Sequence, residues 1–245
     1  PHYYAHRAEY EESHIPGAVF VDWTQDIVEP GSPSQDVAGP ERYAALMSRL
    51  GIGPQTLVVA YDDAAGMFAA RLWWTLHYYG HTRAVVLDGG WQKWLAEGHP
   101  VTAVVPQIAP AVFTPQVQPQ LRRTADELMS PAAGAGVVLL DVRTPDEFAG
   151  RASRARRAGH IPGALNLPRS QLNAPDGTLL PPEQLRLQFA EAGVRLDAPA
   201  IITYCNGGVS ASYALLALRA AGYTGAALYD GSWKDWGNDP TRPIA

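Results

Sequence analysis

The chain has 245 residues, 47 % hydrophobic and 18 % charged, with 19 basic against 24 acidic residues and a formal net charge of -5. That much apolar surface excludes disorder, and the length allows one large domain or two modest ones. The charge balance supplies no whole-chain field for nucleic acid, and no apolar run reaches the roughly 20 residues that span a bilayer. The expectation is therefore a soluble, cytoplasmic chain with no nucleic-acid or membrane partner, acting as a monomer. A single cysteine, Cys205, excludes an internal disulfide and a multi-cysteine metal site, so no metal is expected.

Read in order, the chain states one pattern twice. His14-Ile15-Pro16-Gly17-Ala18 opens the first copy, and a helical stretch over 41–50 follows. The apolar run 57–61 reads as a strand, 68–79 as a helix, and Asp88-Gly89-Gly90-Trp91 with Trp94 closes the copy. Residues 1–105 form this unit, whose first strand would precede Pro1, so the chain looks truncated at that end. Residues 106–123 contain Pro106, Pro110, Pro115 and Pro119 without helical or strand period, which predicts an extended surface linker.

The second copy, 124–245, opens on Thr124 with Glu127 three residues later, a capping box that starts a helix. Val137 to Asp141 reads as a buried parallel strand. His160-Ile161-Pro162-Gly163-Ala164 repeats the opening motif; a helix over 182–192, a strand over 200–204 and a helix over 210–221 follow. Asp230-Gly231-Ser232-Trp233 with Trp236 repeats the closing one. Strands alternating with helices predict an α/β fold, each copy a parallel sheet covered by helices on both faces, with ligands at the carboxyl ends of the strands.

Attention therefore falls on the loops after Tyr61 and Tyr204. The second reads Cys205-Asn206-Gly207-Gly208-Val209-Ser210, between a strand end and a helix start. A lone cysteine is ordinarily a small buried hydrophobe. Two glycines, however, let backbone N–H groups turn inward as an anion-holding nest, and a thiol placed there is favoured as its reactive thiolate. Asp62 occupies the matching place in the first copy.

The paired His-Ile-Pro-Gly-Ala motifs, the Asp141-Val142-Arg143 strand end, the Cys205 loop and the Asp230-Gly-Ser-Trp segment together resemble a tandem-domain rhodanese, of the thiosulfate and mercaptopyruvate sulfurtransferase family. The resemblance covers nearly the whole chain. It implies two rhodanese-like domains, the first catalytically silent, and a Cys205 persulfide that passes sulfur from an anionic donor to cyanide or a thiol. It implies no cofactor.

The loop departs from both branches of that family. Thiosulfate enzymes carry basic residues where Asn206 and Gly207 stand, and mercaptopyruvate enzymes a serine where Gly207 stands. Asp22 matches a companion aspartate of the first domain, but no histidine lies between it and Arg42, and Glu147 replaces a substrate-binding arginine. A neutral loop needs charge from elsewhere, and Arg151, Arg154, Arg156 and Arg157 are the expected source, against the alternative of a solvated face. Asp141 and Arg143 are expected to support the loop, His14 and His160 to stabilise turns, and the paired tryptophans to pack. Thiosulfate is the preferred donor, since nearby arginines replace a lysine's charge more easily than a positioned hydroxyl is replaced; mercaptopyruvate is the alternative. A Cys-dependent phosphatase would need an arginine at Ala211. A non-catalytic binding module or a sulfur carrier to a protein partner remains the alternative of another class.

Overall fold

A computed structural model describes residues 5–129 and 136–245. The first half runs α1 (Arg7–Glu12), α2 (Pro40–Arg49), β1 (Val58–Ala60), α3 (Met67–Tyr78), β2 (Ala84–Val86) and α4 (Gly90–Ala96). The second runs β3 (Arg122–Arg123), α5 (Ala125–Met129), β4 (Val137–Asp141), α6 (Pro145–Phe148), β5 (Leu165–Asn166), α7 (Pro182–Glu191), β6 (Ala200–Tyr204), α8 (Val209–Ala220), β7 (Ala226–Tyr229) and α9 (Ser232–Trp236). No helix among the described residues is long and apolar enough to cross a membrane.

The second half is a five-stranded parallel sheet in the order β3-β7-β6-β4-β5. Its central strand β6 is flanked on both edges and buried from Ile201 to Tyr204, which explains an unbroken apolar run rather than an alternating one. In the first half β1 and β2 pair in parallel, Val58 opposite Ala84. Among the described residues nothing else pairs with β1, and the strand expected ahead of residue 1 lies outside them.

Helices α3 and α8 pack against each other across the halves, and one hydrophobic core runs from Tyr43, Trp74 and Leu76 to Leu140, Phe189 and Leu218. A smaller core beneath β6 and β7 holds Tyr204, Tyr229, Trp233 and Trp236.

The segment between the copies is mostly exposed and without regular structure as far as Gln118, and it is tied down at a few points. Phe113 is buried in the shared core, and Gln116 and Gln118 donate backbone N–H groups to the carbonyls of Tyr79 and Tyr78 at the end of α3. Arg122 and Arg123 then form β3 against Leu228 and Tyr229. Prolines remove donors but not acceptors or apolar contacts, so a proline-rich strip without periodicity can still be anchored at single points such as Phe113.

Candidate active site

Both copies of the His-Ile-Pro-Gly-Ala motif serve the strand that leads to a loop. The N–H of Ile15 donates to Tyr61 Oη and that of Ile161 to Tyr204 Oη, each at 3.2 Å. His14 stacks on Tyr10, and its ring nitrogens lie 2.7 Å from the Tyr10 carbonyl and 3.2 Å from that of Val104. His160 stacks on Phe148, its Nδ1 2.9 Å from the Phe148 carbonyl. Both rings are occupied in holding their turns.

The two loops diverge from this shared frame. Asp62 to Gly66 is one residue longer than Cys205 to Gly208, both ending on a left-handed glycine (φ 80° and 77°) that starts α3 or α8. Asp62 accepts four backbone N–H groups of its own loop: Ala64 and Gly66 on Oδ1 at 2.8 Å, Phe68 and Ala69 on Oδ2 at 2.6 and 2.8 Å. The first loop is thus an anion nest filled by its own carboxylate. In the second, among the described residues, no protein group accepts from the N–H groups of Gly207, Val209, Ser210 or Ala211. This nest is open, and Cys205, only 3 % exposed, stands at its entrance.

Ser232 shapes the open loop. Its Oγ accepts from the N–H groups of Cys205 and Gly208, both at 3.1 Å, and donates to the Tyr229 carbonyl at 2.9 Å. The N–H groups of Trp233 and Lys234 donate to the Cys205 and Asn206 carbonyls at 2.9 Å. Gly208 is required by its left-handed φ of 77° and by the Asp230 carbonyl, which would lie 3.0 Å from a Cβ there, whereas a Cβ on Gly207 would lie 2.8 Å from Gln35 Oε1 and press that side chain aside.

Gln35 belongs to the first half, which meets the second in a buried ionic network. Asp230 accepts from Arg71 Nη1 at 2.7 Å and from the Val37 N–H at 2.9 Å, with Arg122 Nε 3.3 Å away. Arg122 also reaches Asp36 at 2.9 Å. Each buried charge is paired, so each half supplies what the other's charges need.

The cleft over Cys205, about 690 Å³, lies between the halves. Trp23, Gln35, Met67 and Phe68 line it from the first half; the Cys205 loop, Val142 to Thr144, Glu147, Arg154, Pro168 to Ser170 and Lys234 line it from the second. Of the four arginines expected there, Arg154 alone lines it. Arg151 pairs with Asp146 at the surface. Arg157 donates to the carbonyls of Trp236, Gly237, Asp239 and Arg242 and so ties down the chain after α9. Arg156 is exposed, its N–H on Asn238 Oδ1. A dense basic run spreads its side chains because the segment turns continuously, with no helix or strand to align them.

Two further cations line the cleft that sequence reasoning did not assign. Arg169 stacks over Tyr213 and donates to Asn173 Oδ1. Lys234 is half-buried beside Cys205: burial pushes its ammonium below its ordinary pKa, the Cys205 charge opposes this and Arg154 adds to it. Glu147 reciprocates a capping box with Thr144, accepts from Asn206 Nδ2 at 2.8 Å and lies 3.4 Å from Arg154. Burial pushes its carboxyl up, but these partners outweigh burial and hold it below the usual range. Behind the loop, Arg143 grips Asp141 through Nε and Nη2, donates to the Gly159 carbonyl and lies over Trp233. Asp22 accepts from Thr24 and Gln25 and is outside the cleft lining.

The second copy of a duplicated α/β unit thus follows its central strand with a buried cysteine, beside backbone donors without a protein acceptor and in a cleft that Arg154, Arg169 and Lys234 also line. The Rhodanese-like domain matches residues 6–97 and 124–239, and the chain belongs to that family, a family of sulfurtransferases. It is 37 % identical over 96 % of its length to the sulfur carrier protein TtuD of Thermus thermophilus, covering 86 % of that protein. It is 36 % identical to a probable 3-mercaptopyruvate sulfurtransferase of Pseudomonas aeruginosa (96 % of this chain, 85 % of that one) and to the thiosulfate sulfurtransferase of Gallus gallus (94 % and 80 %). Among solved structures, the anaerobic ergothioneine biosynthesis enzyme of Chlorobium limicola with trimethyl histidine superposes with a TM-score of 0.88 at 26 % identity; the match covers 98 % of this chain but 62 % of that one.

Proposed function

We propose that the chain moves sulfane sulfur from thiosulfate to a thiophilic acceptor, cyanide or a thiol, through a persulfide on Cys205. The observation that carries this is the contrast between the loops: the same nest is closed by a carboxylate at Asp62 and left open at Cys205. The Cys205 thiolate attacks the outer sulfur of thiosulfate; a Cys–S–S bond forms, the donor's S–S bond breaks, and sulfite leaves with the electron pair. Backbone N–H groups of Gly207, Val209 and Ser210 then face the terminal persulfide sulfur, which carries the negative charge. Cyanide or a thiolate attacks that sulfur, leaves as thiocyanate or a new persulfide, and restores the Cys205 thiolate.

Lys234 and Arg154 supply, from outside the loop, the charge its neutral residues lack, which supports a sulfonate-bearing donor. A carboxylate could use the same cations, so 3-mercaptopyruvate is the second reading, supported by the Pseudomonas relative's name. The deciding experiment is intact mass after donor alone, with parallel turnover on thiosulfate plus cyanide and mercaptopyruvate plus a thiol. One added sulfur on wild type and none on Cys205→Ser is expected, with kcat/KM favouring thiosulfate. Absence of sulfur uptake from either donor would point instead to a binding module.

A further inference from the structure

Gln35 is a polar side chain of the first half that meets a cation of the cleft. Its Oε1 accepts from Lys234 Nζ at 2.6 Å, the only side-chain hydrogen bond shown for that ammonium. Lys234 Nζ therefore rests on a neutral acceptor, and among the described residues no carboxylate pairs with it. Gln35 reaches this place at a cost: its φ is +65°, a left-handed conformation that non-glycine residues seldom adopt. The strain is held by what surrounds it. Arg71 Nη2 donates to the Gln35 carbonyl at 3.0 Å, the Gln35 N–H donates to the Ser32 carbonyl, and Asp36 next door is fixed by Ser32, Ser34 and Arg122. Gly207 leaves the room through which the carboxamide passes.

We propose that Gln35, carried by the half without the cysteine, is a positioning residue that holds the Lys234 ammonium over Cys205 as an uncancelled anchor for the anionic end of the sulfur donor. This rests on the sulfurtransfer reading above and adds to it the residue pair that sets donor affinity. A neutral partner is essential, since a carboxylate at position 35 would pair with Lys234 and compete with the donor. The first half thus contributes to donor binding without touching the chemistry.

Two variants separate this from a purely structural role. Gln35→Gly suits a φ of +65° and keeps or raises the melting temperature, yet raises the donor KM about tenfold with little change in kcat. Gln35→Glu retains the length and lowers donor kcat/KM by about tenfold or more. In a Lys234→Met background, Gln35→Gly has no further effect on KM, because the group it positions is gone. Unchanged KM in Gln35→Gly and Gln35→Glu, or a Gln35→Gly effect that persists without Lys234, overturns the inference. Sulfur loading of wild type at saturating donor, read by intact mass, tells the two failures apart. Loading with an unmoved KM removes only the role of Gln35, whereas no loading removes the sulfurtransfer reading and this inference with it.

Discussion

Asp62 and Cys205 stand at the same point of one duplicated unit: Asp62 accepts four backbone N–H groups of its loop and helix start, whereas beside Cys205 the Gly208 N–H goes to Ser232 Oγ and, among the described residues, those of Gly207, Val209, Ser210 and Ala211 meet no protein acceptor. The first loop is closed on its own carboxylate; the second leaves backbone donors facing the cleft residues. Asp62→Ala should therefore take this acceptor from four backbone donors and destabilise the fold by about 1–3 kcal/mol, measured by urea denaturation. Sulfur loading of the remaining folded protein should be unaffected.

Ser232 combines a φ of +52° with an Oγ that takes the N–H groups of Cys205 and Gly208. Relief of the backbone alone predicts that Ser232→Gly stabilises; loss of the acceptor predicts the reverse. Two buried donors lose their partner, so the acceptor should win, costing roughly 1–3 kcal/mol and about tenfold or more in kcat. Ser232→Ala should be worse still, since it keeps the strained φ and loses the oxygen.

The basic run before His160 should split by function. Arg154→Ala should raise the donor KM by about tenfold with an unchanged unfolding midpoint. Arg157→Ala should lower the midpoint instead, because the carbonyls of Trp236, Gly237, Asp239 and Arg242 lose the guanidinium that ties them together, and should leave KM alone. Arg151→Ala and Arg156→Ala should change neither. Steady-state kinetics beside chemical denaturation would show whether Arg154 stands apart.

Acid should loosen the contact between the halves. Burial pushes the Asp36 carboxyl up, but the Ser34 and Ser32 hydroxyls and Arg122 outweigh it and hold the group below the usual carboxylate range. A carboxyl depressed in the folded state adds stability above its unfolded value near 3.8, and that contribution is lost as pH falls through the lower folded value. The denaturation midpoint of wild type should fall below about pH 4 more steeply than that of Asp36→Asn. Parallel slopes for the two proteins would contradict this.

Much of this arrangement was legible in the sequence because local signals and the fold agree. Helices expected over 41–50, 68–79, 182–192 and 210–221 occur at Pro40–Arg49, Met67–Tyr78, Pro182–Glu191 and Val209–Ala220. The capping box at Thr124 and Glu127 is reciprocal, with Thr124 N–H on Glu127 Oε2 at 2.7 Å and Glu127 N–H on Thr124 Oγ1 at 3.3 Å. The cleft was less legible. Gln35 and Lys234 are 199 positions apart, and Arg169 reaches the cleft only because Pro168 and its neighbours turn past the end of β5. Sequence proximity singled out the arginines beside His160, whereas spatial proximity selects one of them and two cations from elsewhere. One signal was available for Lys234: it directly follows Trp233 in the Asp-Gly-Ser-Trp segment, whose first-copy equivalent already lies against the Asp62 loop through the Trp91 N–H on the Asp62 carbonyl.

The extra residue in the first loop separates it from the second by more than the exchange of one side chain. Ala65, with φ +53°, exists only because that loop is one residue longer, and it lets the chain wrap around the Asp62 carboxylate. A single codon change to cysteine would place a thiol in a loop of the wrong span, so resurrection of the first copy would need a deletion in the same lineage as the substitution.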